Sequence, residues 1–147
     1  MVRHHIPTYS DKIVPESEVK RMKLNHECVR DLLLAIESLE TVQLFNLADF
    51  YKNRPDLQQY TFETIFYTAV LLADGGYLNA KVRQFVNSSD VDIQKITWKG
   101  HEFLDNVRDD KVWNKTKSSL LEKVGSFSLS IASKVAADII LSLSGFK

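Results

Sequence analysis

Apolar residues fall at helical spacing in five stretches of the chain and at alternating spacing in two. Over residues 25–38, Val29, Leu32, Leu33 and Ile36 make an i, i+3, i+4, i+7 stripe, with Arg30, Asp31 and Glu37 mostly on the other side. Asn25 is placed to cap that helix. Residues 41–45 alternate and predict a short strand, and residues 46–51 predict a short helix that Pro55 keeps from continuing. Thr61 caps a stronger helix over 62–74. Its spacing sends Phe62, Ile65, Phe66, Ala69, Leu72 and Ala73 inward, and Glu63, Thr64, Tyr67, Thr68, Leu71 and Asp74 outward. Gly75-Gly76 ends it.

Residues 77–85 alternate, with Leu78, Ala80 and Val82 on one side. A polar turn at 87–90 leads into a second strand over 91–97, so the two predict a β-hairpin. The stretch 96–110 is the organising corner: a strand end, Thr97 as N-cap, then Phe103, Leu104 and Val107 at helical spacing with Trp98 as an aromatic anchor. Asp110 is read as the cap of a further helix through Val112, Trp113, Leu120, Leu121 and Val124, which Gly125 stops. Ser126 or Ser128 starts the last helix, with Leu129, Ala132, Val135, Ala136, Ile139, Ile140 and Leu143 on a broad apolar face and Lys134 and Asp138 as an i, i+4 pair.

Helix, strand, short helix, strong helix, hairpin, then helices is the order of a winged helix with additions. The expected fold is therefore α+β and mostly helical. It comprises an extended or disordered arm over 1–21, a winged-helix-like domain over 22–109, and a helical extension over 110–147 that packs on it or dimerises. In that organisation the 62–74 helix is the helix-turn-helix recognition element and the hairpin is the wing.

Charge changes the picture only locally. Lysines and arginines number 19, aspartates and glutamates 19, so the net charge is zero and the whole surface does not seek a polyanion. Acids outnumber bases over 22–80, and bases outnumber acids over 81–117. The expected recognition helix carries no Lys or Arg. If DNA is bound, Lys81, Arg83, Lys95 and Lys99 on and after the wing carry it. The outward Tyr67 and Leu71 suit a protein partner instead, and Ile139 and Leu143 suit pairing of the last helix with a second copy.

No phosphate loop, nucleophile–base pair or Cys/His cluster is present, so the expectation is a non-enzymatic protein without cofactor or metal. His101-Glu102 with Asp105 is a truncated zinc-protease pattern that lacks the second histidine, and it reads as structural. Trp98 and Trp113 read as core. The single Cys28 excludes an intramolecular disulfide, and no apolar tract approaches the ~20 residues of a membrane span. A cytoplasmic location without membrane contact is expected.

The run from Ile96-Thr97-Trp98-Lys99-Gly100-His101-Glu102-Phe103-Leu104-Asp105 through Arg108-Asp109-Asp110 to Trp113-Asn114-Lys115 closely resembles the signature of the bacterial domain-of-unknown-function family 2513. Residues 60–67, 71–78 and the Met22-Lys23-Leu24 start resemble it as well, so the likeness covers about 22–117. Thr68 departs from it, standing where members often carry histidine. The resemblance implies a small protein of bacteria and their mobile elements or phages, with no established activity. Together with the expected fold, it leads to a small DNA-binding regulator touching double-stranded DNA through the wing. The alternative is a protein–protein interaction module that modulates another regulator.

Overall fold

The computed structural model describes residues 23–40, 43–125 and 127–145. The arm predicted over 1–21, the first two residues of the strand predicted over 41–45, and Ser126 as a helix start lie outside the described residues. The fold is α+β and mostly helical, and its sheet is three-stranded and antiparallel in the order β1-β3-β2.

The elements follow from caps and apolar periodicity. Helix α1 (His26–Glu37) begins where the Asn25 side chain accepts from the Cys28 N–H. Strand β1 is Phe45–Asn46; residues 43 and 44 of the predicted strand lie outside the sheet, and Asn46 turns at once into the N-cap of α2 (Leu47–Lys52). A single 3₁₀ turn at Pro55–Leu57 follows. Thr61 caps α3 (Phe62–Asp74) by accepting from Thr64. At the far end of α3, Gly76 takes a left-handed φ of +83°, while Tyr77 N–H reaches back to the Leu72 carbonyl at 2.8 Å. That is the six-to-one bond of a Schellman ending.

Strands β2 (Leu78–Gln84) and β3 (Ser89–Ile96) form the hairpin, with Val82 opposite Val91 and an irregularity after Asn79. The predicted turn at 87–90 is shorter than expected, since Ser89 and Asp90 already pair in the ladder. The cause is tertiary. The Asp90 carboxylate accepts from Ala48 N–H at 3.1 Å and from the Asn46 amide, which pins the start of β3 to the N-terminus of α2.

Three helices follow among the described residues: α4 (Trp98–Val107), α5 (Asp110–Val124) and α6 (Leu129–Leu143). The cap of α5 is Asp109, which accepts from Val112, and not Asp110. Asp110 is drawn elsewhere, to Arg30. Ser128 caps α6.

One apolar cluster joins these elements. Val29, Leu32 and Leu33 of α1 sit at its centre with Ile65, Ala69 and Leu72 of α3, Val91 and Ile93 of β3, and Phe103, Leu104 and Val107 of α4. Trp113 and Leu120 of α5 and Leu129, Ala132 and Ala136 of α6 belong to the same cluster.

Two contacts hold α4 in place at its ends. At the N-terminus the Thr97 N–H donates to the Tyr77 carbonyl at 3.1 Å, and its hydroxyl accepts from Gly100. Gly100 lies so close to the turn after α3 that an added Cβ would stand 2.3 Å from the Tyr77 carbonyl oxygen. At the C-terminus the buried Arg30 guanidinium donates to the Val107 carbonyl at 2.8 Å, to the Arg108 carbonyl at 2.7 Å and to Asp110 at 2.7 Å. It caps α4 and opens α5 in one stroke.

Gly100→Ala is expected to cost about 3 kcal/mol or more, because the opposing atom is backbone and cannot step aside. Gly125→Ala, at φ +76° with open space around it, is expected to cost only about 1–2 kcal/mol of left-handed strain. Urea denaturation of the two variants checks the order, and equal losses would contradict the close approach. Arg30→Met is expected to lose about 2–4 kcal/mol by leaving helix-end carbonyls buried without donors, read in the same titration.

Candidate interaction surface

The strongest departure from the sequence reading is Trp98. It was expected in the core, yet it is 82% exposed, while Trp113 is 1% exposed. The reason is helix phase. Phe103, Leu104 and Val107 define the buried side of α4. At roughly 100° per residue, Trp98 comes out on the opposite side. One turn and a half upstream of an anchor is half a turn out of phase, so counting the phase finds this residue from sequence. Trp113 is held by the core, with its indole N–H donating to Glu27 at 3.2 Å.

Around Trp98 the surface is built from the corner that fixes α4. Lys99 Nζ donates to the Gly75 carbonyl at 2.9 Å and lies 4.6 Å from the Tyr77 ring centroid. It is therefore partly engaged by the fold and not an open cation. Beyond it a groove of about 550 Å³ runs between α4 and α6, lined by Tyr77, Lys99, Glu102, Asn106, Ile131 and Lys134.

The other three of these cations share the hairpin with two carboxylates. Arg83 pairs with Asp92 at 2.8 Å and stands 4.0 Å from Asp90, while Lys81 is registered opposite Asp92. The Arg83 guanidinium and a second hydrogen bond from the Asn46 side hold the Asp92 carboxyl below the usual carboxylate range, with the Arg83 bond the larger cause. Lys95 is exposed opposite Asn79. The structure thus brings Lys81, Arg83 and Lys95 onto one hairpin, with Lys99 at the neighbouring corner, and sets Asp90 and Asp92 among them.

The outward face assigned to α3 is not all outward. Thr68 is buried, its hydroxyl donating to the Thr64 carbonyl at 2.7 Å and lying 3.3 Å from the Cys28 sulfur. The packing of α1 across α3 covers it, which spacing on one helix does not reveal. Burial pushes the Cys28 thiol up to about 11, so it is an inert core group. Tyr67 and Leu71 are half-buried. Tyr67 lines a groove of about 640 Å³ together with His26, Glu27, Glu63, Leu121 and Phe127. His26 closes one end of that groove, donating from Nε2 to the Phe127 carbonyl at 2.7 Å with the two rings 4.1 Å apart.

On α6, Ile139 is half-buried against the core and Leu143 is 57% exposed. His101 is exposed and faces Glu37 at 4.0 Å rather than Asp105 or a strand carbonyl. Glu37 and Asp105 are both engaged by Arg108, whose bond is the first cause holding the Glu37 carboxyl below its ordinary value. Among the described residues, no three His, Cys, Asp or Glu side chains converge as a metal site requires, and no helix is long and apolar enough to cross a membrane.

The two indoles give a direct check. In a Trp113→Phe variant the remaining Trp98 is expected to emit red-shifted light and to be quenched freely by acrylamide. In a Trp98→Phe variant Trp113 is expected to be blue-shifted and protected. Trp98→Ala is expected to change stability by no more than about 0.5 kcal/mol, as surface positions do; a loss of several kcal/mol would place the ring in the core after all.

A curated protein of Haemophilus influenzae (strain ATCC 51907 / DSM 11121 / KW20 / Rd), described as an uncharacterized protein, is 32% identical to this chain over 119 residues. The match covers 81% of this chain and 96% of that protein. No solved structure matches the chain. A family model described as "Hypothetical protein (DUF2513)" matches residues 23–126, which include every element from α1 to α5. With the likeness of the Haemophilus protein beside that match, the chain belongs to the DUF2513 family.

Proposed function

We propose that the chain is a non-enzymatic interaction module on a winged-helix-like frame, and that it binds a protein partner through the surface around Trp98. The frame reading is supported by the order α1-β1-α2-α3-β2-β3 and by a sheet in which the short β1 lies against β3. The single observation that carries the partner reading is the 82% exposure of Trp98. Tryptophan is enriched where partners dock and among the residues that dominate binding energy there.

Electrostatics favours a protein over DNA for this frame. The N-terminus of a helix next to the sheet suits a phosphate. Here the N-terminal N–H groups of α2 are met by Asn46 and the Asp90 carboxylate. The first turn of α3 carries Glu63, and the wing arginine is neutralised by Asp92. Carboxylates thus occupy three places where backbone phosphates would be expected. The exposed apolar tip of the wing, with Phe85 and the fully exposed Val86, also fits a protein surface.

Double-stranded DNA contact through the wing is the second reading. Its support is that Lys81, Arg83 and Lys95 are carried on one hairpin.

Both are tested together. A photoreactive phenylalanine analogue at position 98, with the exposed Glu122 position as control, is irradiated in the host cell. A discrete polypeptide adduct at 98 and none at 122 is the expected result. In parallel, random duplex DNA at low salt is expected to run unshifted with the native chain. A shift that fades with salt and with alanine at Lys81, Arg83, Lys95 and Lys99, and no polypeptide adduct at 98, would transfer the function to the wing.

A further inference from the structure

A second surface, argued from observations other than the exposure of Trp98, lies on the outer side of α6. Leu129, Ala132 and Ala136 turn that helix toward α4 and α5. The side not packed on the core carries Ile131, Lys134, Asp138 and Leu141 at i, i+3, i+7 and i+10, the spacing of a helix seam, with Ile131 and Lys134 also edging the groove toward α4. Ile131 and Leu141 are each 47% exposed, and Lys134 and Asp138 are exposed between them. The i, i+4 pair expected between those two charges is absent, since neither forms an ion pair among the described residues.

We propose that this face pairs with the same face of a second copy of the chain, antiparallel about a two-fold axis. The order apolar, cation, anion, apolar is self-complementary in that arrangement and in no parallel one. Setting Lys134 beside Asp138 of the partner subunit also sets Asp138 beside Lys134 of the partner subunit, which the symmetry requires. The same register brings Ile131 against Leu141 of the partner subunit, at both ends. Antiparallel alignment also opposes the two helix dipoles favourably. A single pair of helices of 15 residues is smaller than a standard interface, so the dimer is a weak one in the micromolar range.

Sedimentation velocity on the full chain, up to about 200 µM, is expected to show a monomer–dimer equilibrium. Lys134→Glu is expected to weaken it at least about tenfold by facing two carboxylates, and Asp138→Lys likewise by facing two ammoniums. The double variant Lys134→Glu/Asp138→Lys restores complementarity and is expected to regain the native dissociation constant. Register is read separately. A chain with both Ile131→Cys and Leu141→Cys is expected to form covalent dimers on mild oxidation. Neither single variant should do so, because like positions would stand about 15 Å apart across the axis. The native Cys28 is buried and does not compete. A native chain that stays monomeric over the whole range would overturn the pairing. So would a double charge variant no better than the singles, or single cysteines that cross-link as readily as the pair.

Discussion

The phase of α4 is set by one close approach, and the exposed surface follows from it. Gly100 lies against the Tyr77 carbonyl with no room for a side chain, and the Thr97 cap bonds to that same carbonyl. Once the backbone at 100 faces the turn after α3, Phe103, Leu104 and Val107 must enter the core and Trp98 must leave it. Rotating α4 to bury the indole would push residue 100 away from Tyr77 and withdraw three apolar side chains. The other end of the helix is equally fixed. Arg30 takes the Val107 and Arg108 carbonyls, so α4 has no freedom to slide. The outward direction of the indole thus follows from a glycine at one end of α4 and an arginine at the other.

The same economy governs the charges. A chain with equal numbers of acids and bases has no long-range field to offer a polyanion. What its carboxylates do is internal: Asp90 meets the start of α2, Asp92 holds Arg83, Glu27 receives the Trp113 indole and Lys117, and Glu37 and Asp105 hold Arg108. Each ties together elements distant in sequence or fixes a corner. Exposed pairs of this kind contribute little stability singly, but they decide which cations remain open. Lys81 and Lys95 are the hairpin cations not spent in such a pair at close range among the described residues, which leaves the hairpin far less basic than its lysines and arginines suggest.

Local chemistry was legible wherever a side chain speaks to its own backbone. The caps Asn25, Thr61, Thr97 and Ser128, the Gly75-Gly76 ending and the Gly125 stop all stand where the sequence places them. What the pattern misses is tertiary. Nothing near Arg30 indicates that its guanidinium crosses to residues 107–110, so Asp110 was read as a cap when Asp109 holds that place. Thr68 looked outward because one helix alone does not reveal that α1 lies over it. Trp98 is a different kind of miss, since its exposure is written in the spacing. Aromatic character points the residue inward, and helix phase points it outward. The mostly helical α+β class was readable from the order of elements, while the candidate surface required knowing which side of α4 was already taken.

The two surfaces are not remote from one another. Ile131 and Lys134 of the α6 face also line the groove that contains Lys99 and Glu102, and Lys99 follows Trp98 directly. Pairing through α6 would therefore place two copies of the Trp98 surface at a fixed spacing about one two-fold axis. A partner presenting its epitope twice, or itself a symmetric dimer, would then bind the second site at a high effective concentration without any new contact. Linkage works in the other direction too: a partner that engages both copies stabilises the pair by its binding free energy, whatever the weakness of the α6 contact alone. The proposed pairing, weak by itself, would in this way be strengthened by a partner that engages the proposed Trp98 surface twice.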